Sequence, residues 1–158
     1  MAIPNFNSNG ILPEGIYEAT LEEIKDFFCS YGDKERRKNL LNSLCKYIED
    51  VKKHDVEFYI CIDGSYVTKK EYPGDLDVLI VYDFEYNNKE WKELVCDEVA
   101  KFKYKGLQIL PAFLDSYGEE ELIDFAQDVK DNYLLRKGII KVILWLRVLK
   151  KKNFLKKE

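Results

Sequence analysis

A single histidine, His54, is all that this chain of 158 residues offers for imidazole chemistry. A Ser-His-Asp or Cys-His centre would have to use it, yet it stands in the charged run Lys52-Lys53-His54-Asp55, which reads as the solvated end of a helix. Cys29, Cys45, Cys61 and Cys96 include no Cys-x-x-Cys pair, and with one histidine they argue against a zinc site. Each cysteine lies in or beside an apolar periodic segment, so all four read as buried free thiols of a reducing compartment. Long apolar runs are also missing: the longest, 142–149, is interrupted by Arg147 and falls well short of a bilayer span. The opening Met1-Ala2-Ile3-Pro4 lacks the basic start and apolar stretch of a signal peptide, so a cytoplasmic protein without membrane contact is expected. Internal repeats and low-complexity segments are absent.

What remains is the composition of an ordinary folded domain, 46% hydrophobic and 34% charged, long enough to bury one core. Tyrosine and phenylalanine are abundant enough that part of that core should be aromatic. Charge is unevenly placed. Residues 136–158 hold nine Lys and Arg against Glu158, net +8; with the whole chain at −4, residues 1–135 carry −12. A basic tail beside an acidic body suits a nucleic acid or an acidic partner. A solvated terminus explains it better, since 150–157 offers Phe154 alone for base stacking.

Residues 1–17, rich in Asn, Gly and Pro, read as an extended lead-in, 18–149 as one domain, and 150–158 as a basic tail. Thr20-Leu21-Glu22-Glu23 is a capping box that starts a helix with Leu21, Ile24, Phe27 and Phe28 inward. Gly32-Asp33 ends it and caps a second helix reaching about residue 53, with Leu40, Leu41, Leu44, Ile48 and Val51 on its core face. Strands are expected at 56–62 and 76–82, joined by a turn-rich connection at 66–74 that carries Lys69 and Lys70. A third helix over 89–103 should bury Trp91, Leu94, Val95, Val99 and Phe102. A strand at 107–114 contains Pro111, which places it at an edge or a bulge. A helix at 118–129 and a strand beginning at Gly138 complete the order. The fold class is α+β: a small mixed sheet with helices packed mainly on one face.

Chemistry concentrates in two short segments. Ile60-Cys61-Ile62-Asp63-Gly64-Ser65 is an apolar run ending in a Gly-Ser turn, and nine residues later comes Asp75-Leu76-Asp77-Val78-Leu79-Ile80-Val81. In a strand, residues two apart point the same way, about 6.6 Å apart along the chain, a spacing that suits hard cations. Gly64 and Ser65 offer a backbone that phosphate can approach, with N–H and hydroxyl donors. Tyr72-Pro73-Gly74-Asp75 is also a turn signal in itself, whereas Asp77 lies inside a run that reads as buried.

This combination looks like the signature of the DNA polymerase β-like nucleotidyltransferase superfamily, most of all its small single-domain members, the minimal nucleotidyltransferases. Asn5-Phe6-Asn7 through Gly10-Ile11-Leu12-Pro13-Glu14-Gly15, Asp124-Phe125-Ala126-Gln127-Asp128 and Arg136-Lys137-Gly138-Ile139-Ile140 resemble a bacterial nucleotidyltransferase-like family of uncharacterised function. The resemblance implies Asp75 and Asp77 as catalytic, metal-holding carboxylates, Gly64 and Ser65 as ligands of the nucleotide phosphates, Mg²⁺ or Mn²⁺ as cofactor, and a nucleoside triphosphate such as ATP as substrate. The acceptor would be a hydroxyl of a nucleotide, an RNA or a protein. Catalytic members add a third carboxylate from a later strand, where this chain has Gln108 in Lys105-Gly106-Leu107-Gln108-Ile109-Leu110. Glutamine cannot act as a general base near neutral pH. Asp115 lies seven residues further, about 23 Å along an extended strand. Two readings therefore stand: a nucleotidyltransferase, or a catalytically silent nucleotide-binding or protein-interaction subunit, for example of a toxin–antitoxin or phage-defence system. The small size implies a shallow, open cleft, walled by a homodimer or a partner subunit.

Overall fold

A computed structural model describes residues 3–113 and 138–143. In chain order these form β1 (Ile16–Thr20), α1 (Leu21–Phe28), α2 (Lys34–Val51), β2 (Phe58–Asp63), a 3-10 turn (Gly64–Val67), β3 (Leu76–Tyr82), α3 (Lys89–Leu94), α4 (Asp97–Lys103), β4 (Leu107–Phe113) and β5 (Ile139–Ile143). The helix starts follow from local chemistry. Thr20 Oγ1 accepts the Glu23 N–H at 3.1 Å, and the Glu23 carboxylate accepts the Thr20 N–H at 2.9 Å, so two donors without helical partners are satisfied reciprocally. Asp33 caps α2 by accepting the Arg36 N–H at 2.9 Å.

The strands form one sheet in the order β1-β5-β2-β3-β4. β1 runs parallel to β5, β2 is antiparallel to both β5 and β3, and β3 is parallel to β4. All seven residues of β3 are buried, as its Leu-Asp-Val-Leu-Ile-Val-Tyr sequence requires of a strand covered on both faces. Alternate residues such as Ile60, Ile62, Val78, Ile80 and Ile109 join the main core with Ile24, Leu44, Ile48 and Trp91 from the helices. The described helices thus share one face of the sheet. The other face holds a smaller buried cluster of Cys61, Leu79, Val81 and Ile139. This is the α+β arrangement expected, with the aromatic side chains of Phe28, Tyr47, Tyr66 and Tyr104 in the core.

Differences from the sequence reading have physical causes. β1 is a strand where the end of a lead-in was expected; its five residues gain their partner only when β5 arrives, more than a hundred residues later. The expected helix over 89–103 is two helices. The Tyr47 hydroxyl donates to the Leu94 carbonyl at 2.9 Å, and Cys96 turns extended to open α4. Asp97 then binds the Ile109 N–H at 2.8 Å, aiming α4 along β4. That redirection leaves Val99 and Phe102 exposed rather than inward, while Trp91, Leu94 and Val95 are buried as read. Pro111 lies on β4, which among the described residues is at the edge of the sheet, one of the two placements read for it. His54 is half-buried, its Nδ1 3.1 Å from the Tyr86 hydroxyl and its ring against Trp91. The cysteines are free thiols, but only Cys61 is buried, and Cys96 is exposed. The expected helix at 118–129, Asp115, the later part of the segment beginning at Gly138, and the basic tail lie outside the described residues. Among the described residues, no helix is long and apolar enough to cross a membrane.

Candidate active site

β2 ends at Asp63, and the chain leaves through the turn Gly64–Val67. Gly64 has φ +83°, a left-handed conformation that glycine adopts without steric cost. A second constraint acts at the same position. A Cβ on Gly64 would lie 2.4 Å from Asp77 Oδ2 and 2.8 Å from its Cγ. The backbone after β2 is thus packed directly on the Asp77 carboxylate, so the two halves of the sequence signature meet in space. Ser65 is half-buried, and its carbonyl closes the turn by accepting the Thr68 N–H at 3.2 Å and the Thr68 hydroxyl at 2.6 Å.

Sheet register sets the rest. Asp63 is paired with Asp77, and Asp77 with Gln108. Directly paired side chains lie on the same face, with Cβ atoms about 4.5–5.5 Å apart in an antiparallel pair. Asp63, Asp77 and Gln108 therefore form a row across β2, β3 and β4 on the face away from the described helices. Asp63 is 5% exposed and Asp77 9%. Asp75 is half-buried and precedes the first residue of β3, so strand geometry does not by itself set its direction. Gln108 lies on β4, paired with Asp77 of β3. Among the described residues, no three His, Cys, Asp or Glu side chains gather into a metal-holding group.

The segment between Ser65 and Asp75 is held from the first turn of α2. Arg37, fully buried, donates from Nη1 to the Tyr66 carbonyl and from Nη2 to the Thr68 and Lys70 carbonyls, each at 2.7 Å. Arg36 donates to the Pro73 carbonyl at 3.0 Å and the Gly74 carbonyl at 2.5 Å. The Asp33 N–H reaches the Glu71 carbonyl at 2.8 Å. Gly32, at φ +57°, permits that approach, since a Cβ there would meet the Glu71 carbonyl oxygen at 2.5 Å. Burial pushes the Arg37 guanidinium below its ordinary value, opposed by Tyr66, Cys29 and Glu71; an arginine so placed remains a cation. Burial, with the Cys29 thiol 3.6 Å from its hydroxyl, raises Tyr66.

Asp63, Arg36 and Arg37 were not singled out from the sequence. Arg36 and Arg37 stand in the run Lys34-Glu35-Arg36-Arg37-Lys38, where nothing separates a buried arginine from solvated neighbours. Asp63 carried a signal, a carboxylate at the end of an apolar strand, but its partner depends on register. Lys69 and Lys70 are exposed on the same segment.

No curated protein and no solved structure matches the chain. A family model matches residues 4–143, which include both halves of the signature and the arginines that hold the segment between them, and the chain belongs to that family, a family of unknown function (DUF6932).

Proposed function

We propose that the protein is a metal-dependent nucleotidyltransferase, moving a nucleoside monophosphate from a nucleoside triphosphate to a hydroxyl acceptor. The observation that carries this reading is the packing of Gly64 on the Asp77 carboxylate, with Asp63 opposite and Ser65 following. Mg²⁺ or Mn²⁺ fits the donor set. The carboxylates are hard oxygen donors, and with no Cβ at Gly64 the space beside Asp77 Oδ2 is not filled by a side chain. Asp75 and Asp77 would hold the ion, in keeping with the one or two carboxylates by which Mg²⁺ is usually bound. Bound there, it neutralises charge on the reacting phosphates.

The chain's own residues do the rest. The Gly64 and Ser65 backbone and the Ser65 hydroxyl bind the β- and γ-phosphates. The acceptor oxygen bonds to the α-phosphorus as the bond to the bridging oxygen breaks, and pyrophosphate leaves. Asp63, opposite Asp77, takes the hydroxyl proton that Gln108 cannot. Positioning and charge neutralisation supply most of the rate in such transfers. The acceptor is a nucleotide, an RNA end or a protein hydroxyl, presented in an open cleft by a second copy or a partner subunit. Four free thiols support a cytoplasmic location.

Label from α-phosphate-labelled nucleoside triphosphates should pass to mixed nucleotide, RNA and protein acceptors with Mg²⁺ or Mn²⁺. Asp75→Ala/Asp77→Ala should lose about 100-fold or more of that transfer, as should Asp63→Asn. Transfer no greater than that of the double variant would remove the enzymatic reading. Gln108 beside Asp77 favours the second one, a silent nucleotide-binding or interaction subunit, as in a toxin–antitoxin or phage-defence system. Turnover gained only in Gln108→Asp would mean that the native site is a degraded one.

A further inference from the structure

We infer that Tyr72 is the platform on which the base of the bound nucleotide stacks; this rests on the nucleotidyl-transfer reading and adds the part of the substrate that the carboxylates do not define. Among the described residues, the strongly exposed large apolar side chains are Tyr72, Phe84, Val99, Phe102 and Phe113. Tyr72 alone lies on the segment joining Ser65 to Asp75, and it is 56% exposed. Its ring is backed by charge. The Arg36 guanidinium sits 5.1 Å from the ring centroid and is itself fixed by the Pro73 and Gly74 carbonyls. A cation against an aromatic ring stabilises its placement, so the platform is held before any ligand arrives.

Distance agrees with this role. Tyr72 precedes Asp75 by three residues, a reach of at most about 10 Å. That bound along the chain keeps Tyr72 near enough to Asp75 for the base of a nucleotide whose phosphates lie there. Exposed Lys69 and Lys70 lie on the same segment and add positive charge to it. A stacking ring reads the π-face that every base possesses rather than its hydrogen-bonding edge. The site therefore accepts all four bases and recognises a nucleotide mainly by aromatic face and phosphate charge.

Calorimetric titration tests this with ATP, GTP, CTP and UTP in Mg²⁺, together with ribose 5-triphosphate, which has no base. Tyr72→Ala should weaken all four nucleotides by about 5- to 100-fold while Tyr72→Phe stays within about twofold of the native protein. Ribose 5-triphosphate should bind the native protein and Tyr72→Ala alike. Native affinity for the four nucleotides in Tyr72→Ala would overturn the platform alone. An equal loss for ribose 5-triphosphate would also overturn it, placing the effect in the segment's shape. A native protein that binds none of the four would remove the nucleotidyl-transfer reading, and the platform with it.

Discussion

At the scale of single residues, Gly64 answers to two separable constraints. Its φ of +83° costs any residue with a Cβ about 1–2 kcal/mol, and that Cβ would also run into the Asp77 carboxylate. The two costs come apart in a double-mutant cycle. Gly64→Ala should destabilise the native protein more than it destabilises Asp77→Ala, by an interaction energy in the range of about 0.5–3 kcal/mol, because removing the carboxylate relieves the collision and leaves only the backbone term. Urea unfolding of the four proteins measures this. Additive effects would mean that the turn and the carboxylate are not in contact. Gly64 and Asp77 are also where the sequence was most informative about the site. A Gly-Ser turn and a carboxylate inside an apolar run are odd locally, and the oddness is visible without the fold. Asp63 was not assigned a role because its importance arises from register with Asp77, which no local pattern contains.

Among the elements, α2 does more than bury a stripe. Its first turn supplies five hydrogen bonds from Arg36 and Arg37 to carbonyls between residues 66 and 74. Buried carbonyls without donors are costly, and a guanidinium serves three of them only because its donors are spread in a fixed plane. Arg37→Met should lose on the order of 3 kcal/mol in urea unfolding, and Arg37→Lys a smaller but clear fraction, since an ammonium cannot reproduce the fork. Hydrogen exchange gives the sharper readout. The amides of Thr68 and Lys69, bonded to the Ser65 and Gly10 carbonyls, should lose protection in Arg37→Met before the amides of β3 do. Uniform loss across both would make Arg37 a general core residue rather than a clamp. This also explains what was legible in the elements. β3 was readable end to end because every residue in it is buried. α1 and α2 were readable because Thr20 and Asp33 form their caps locally. β1 and the break between α3 and α4 depend on partners far along the chain, namely β5 and Tyr47, so periodicity alone misplaces them.

For the whole molecule, α2 is a strut between two ends with different chemistry. Its eighteen residues span about 27 Å. The first turn holds the segment of the candidate site through the Arg36 and Arg37 guanidinium groups, with the Asp33 N–H beside them. The last turn holds α4 through Asp50, whose carboxylate accepts from the Tyr104 hydroxyl and lies 3.2 Å from Lys53 and 3.4 Å from Lys103. Tyr104 above all, helped by the two lysines against the opposing effect of burial, lowers Asp50 from 3.8 to about 2. A carboxylate lowered on folding stabilises the native state above its unfolded value and loses that contribution as pH falls through its folded value. The contribution is therefore complete at neutral pH and disappears between about pH 4 and about pH 2. Both lysines are mostly exposed, so their share is small, and the whole effect is on the order of 1–2 kcal/mol. Asp50→Asn should accordingly be less stable than the native protein at pH 7 by about that amount, and the gap should close as the pH approaches 2. Urea unfolding across this range decides it; a gap that stays constant with pH would show that Asp50 acts through shape and not through charge. Among the described residues the arginine side chains of the clamp bond to backbone carbonyls and not to carboxylates, so acid should loosen the α4 end first, and hydrogen exchange at pH 3 should leave the amides of Thr68 and Lys69 protected after those of α4 have opened.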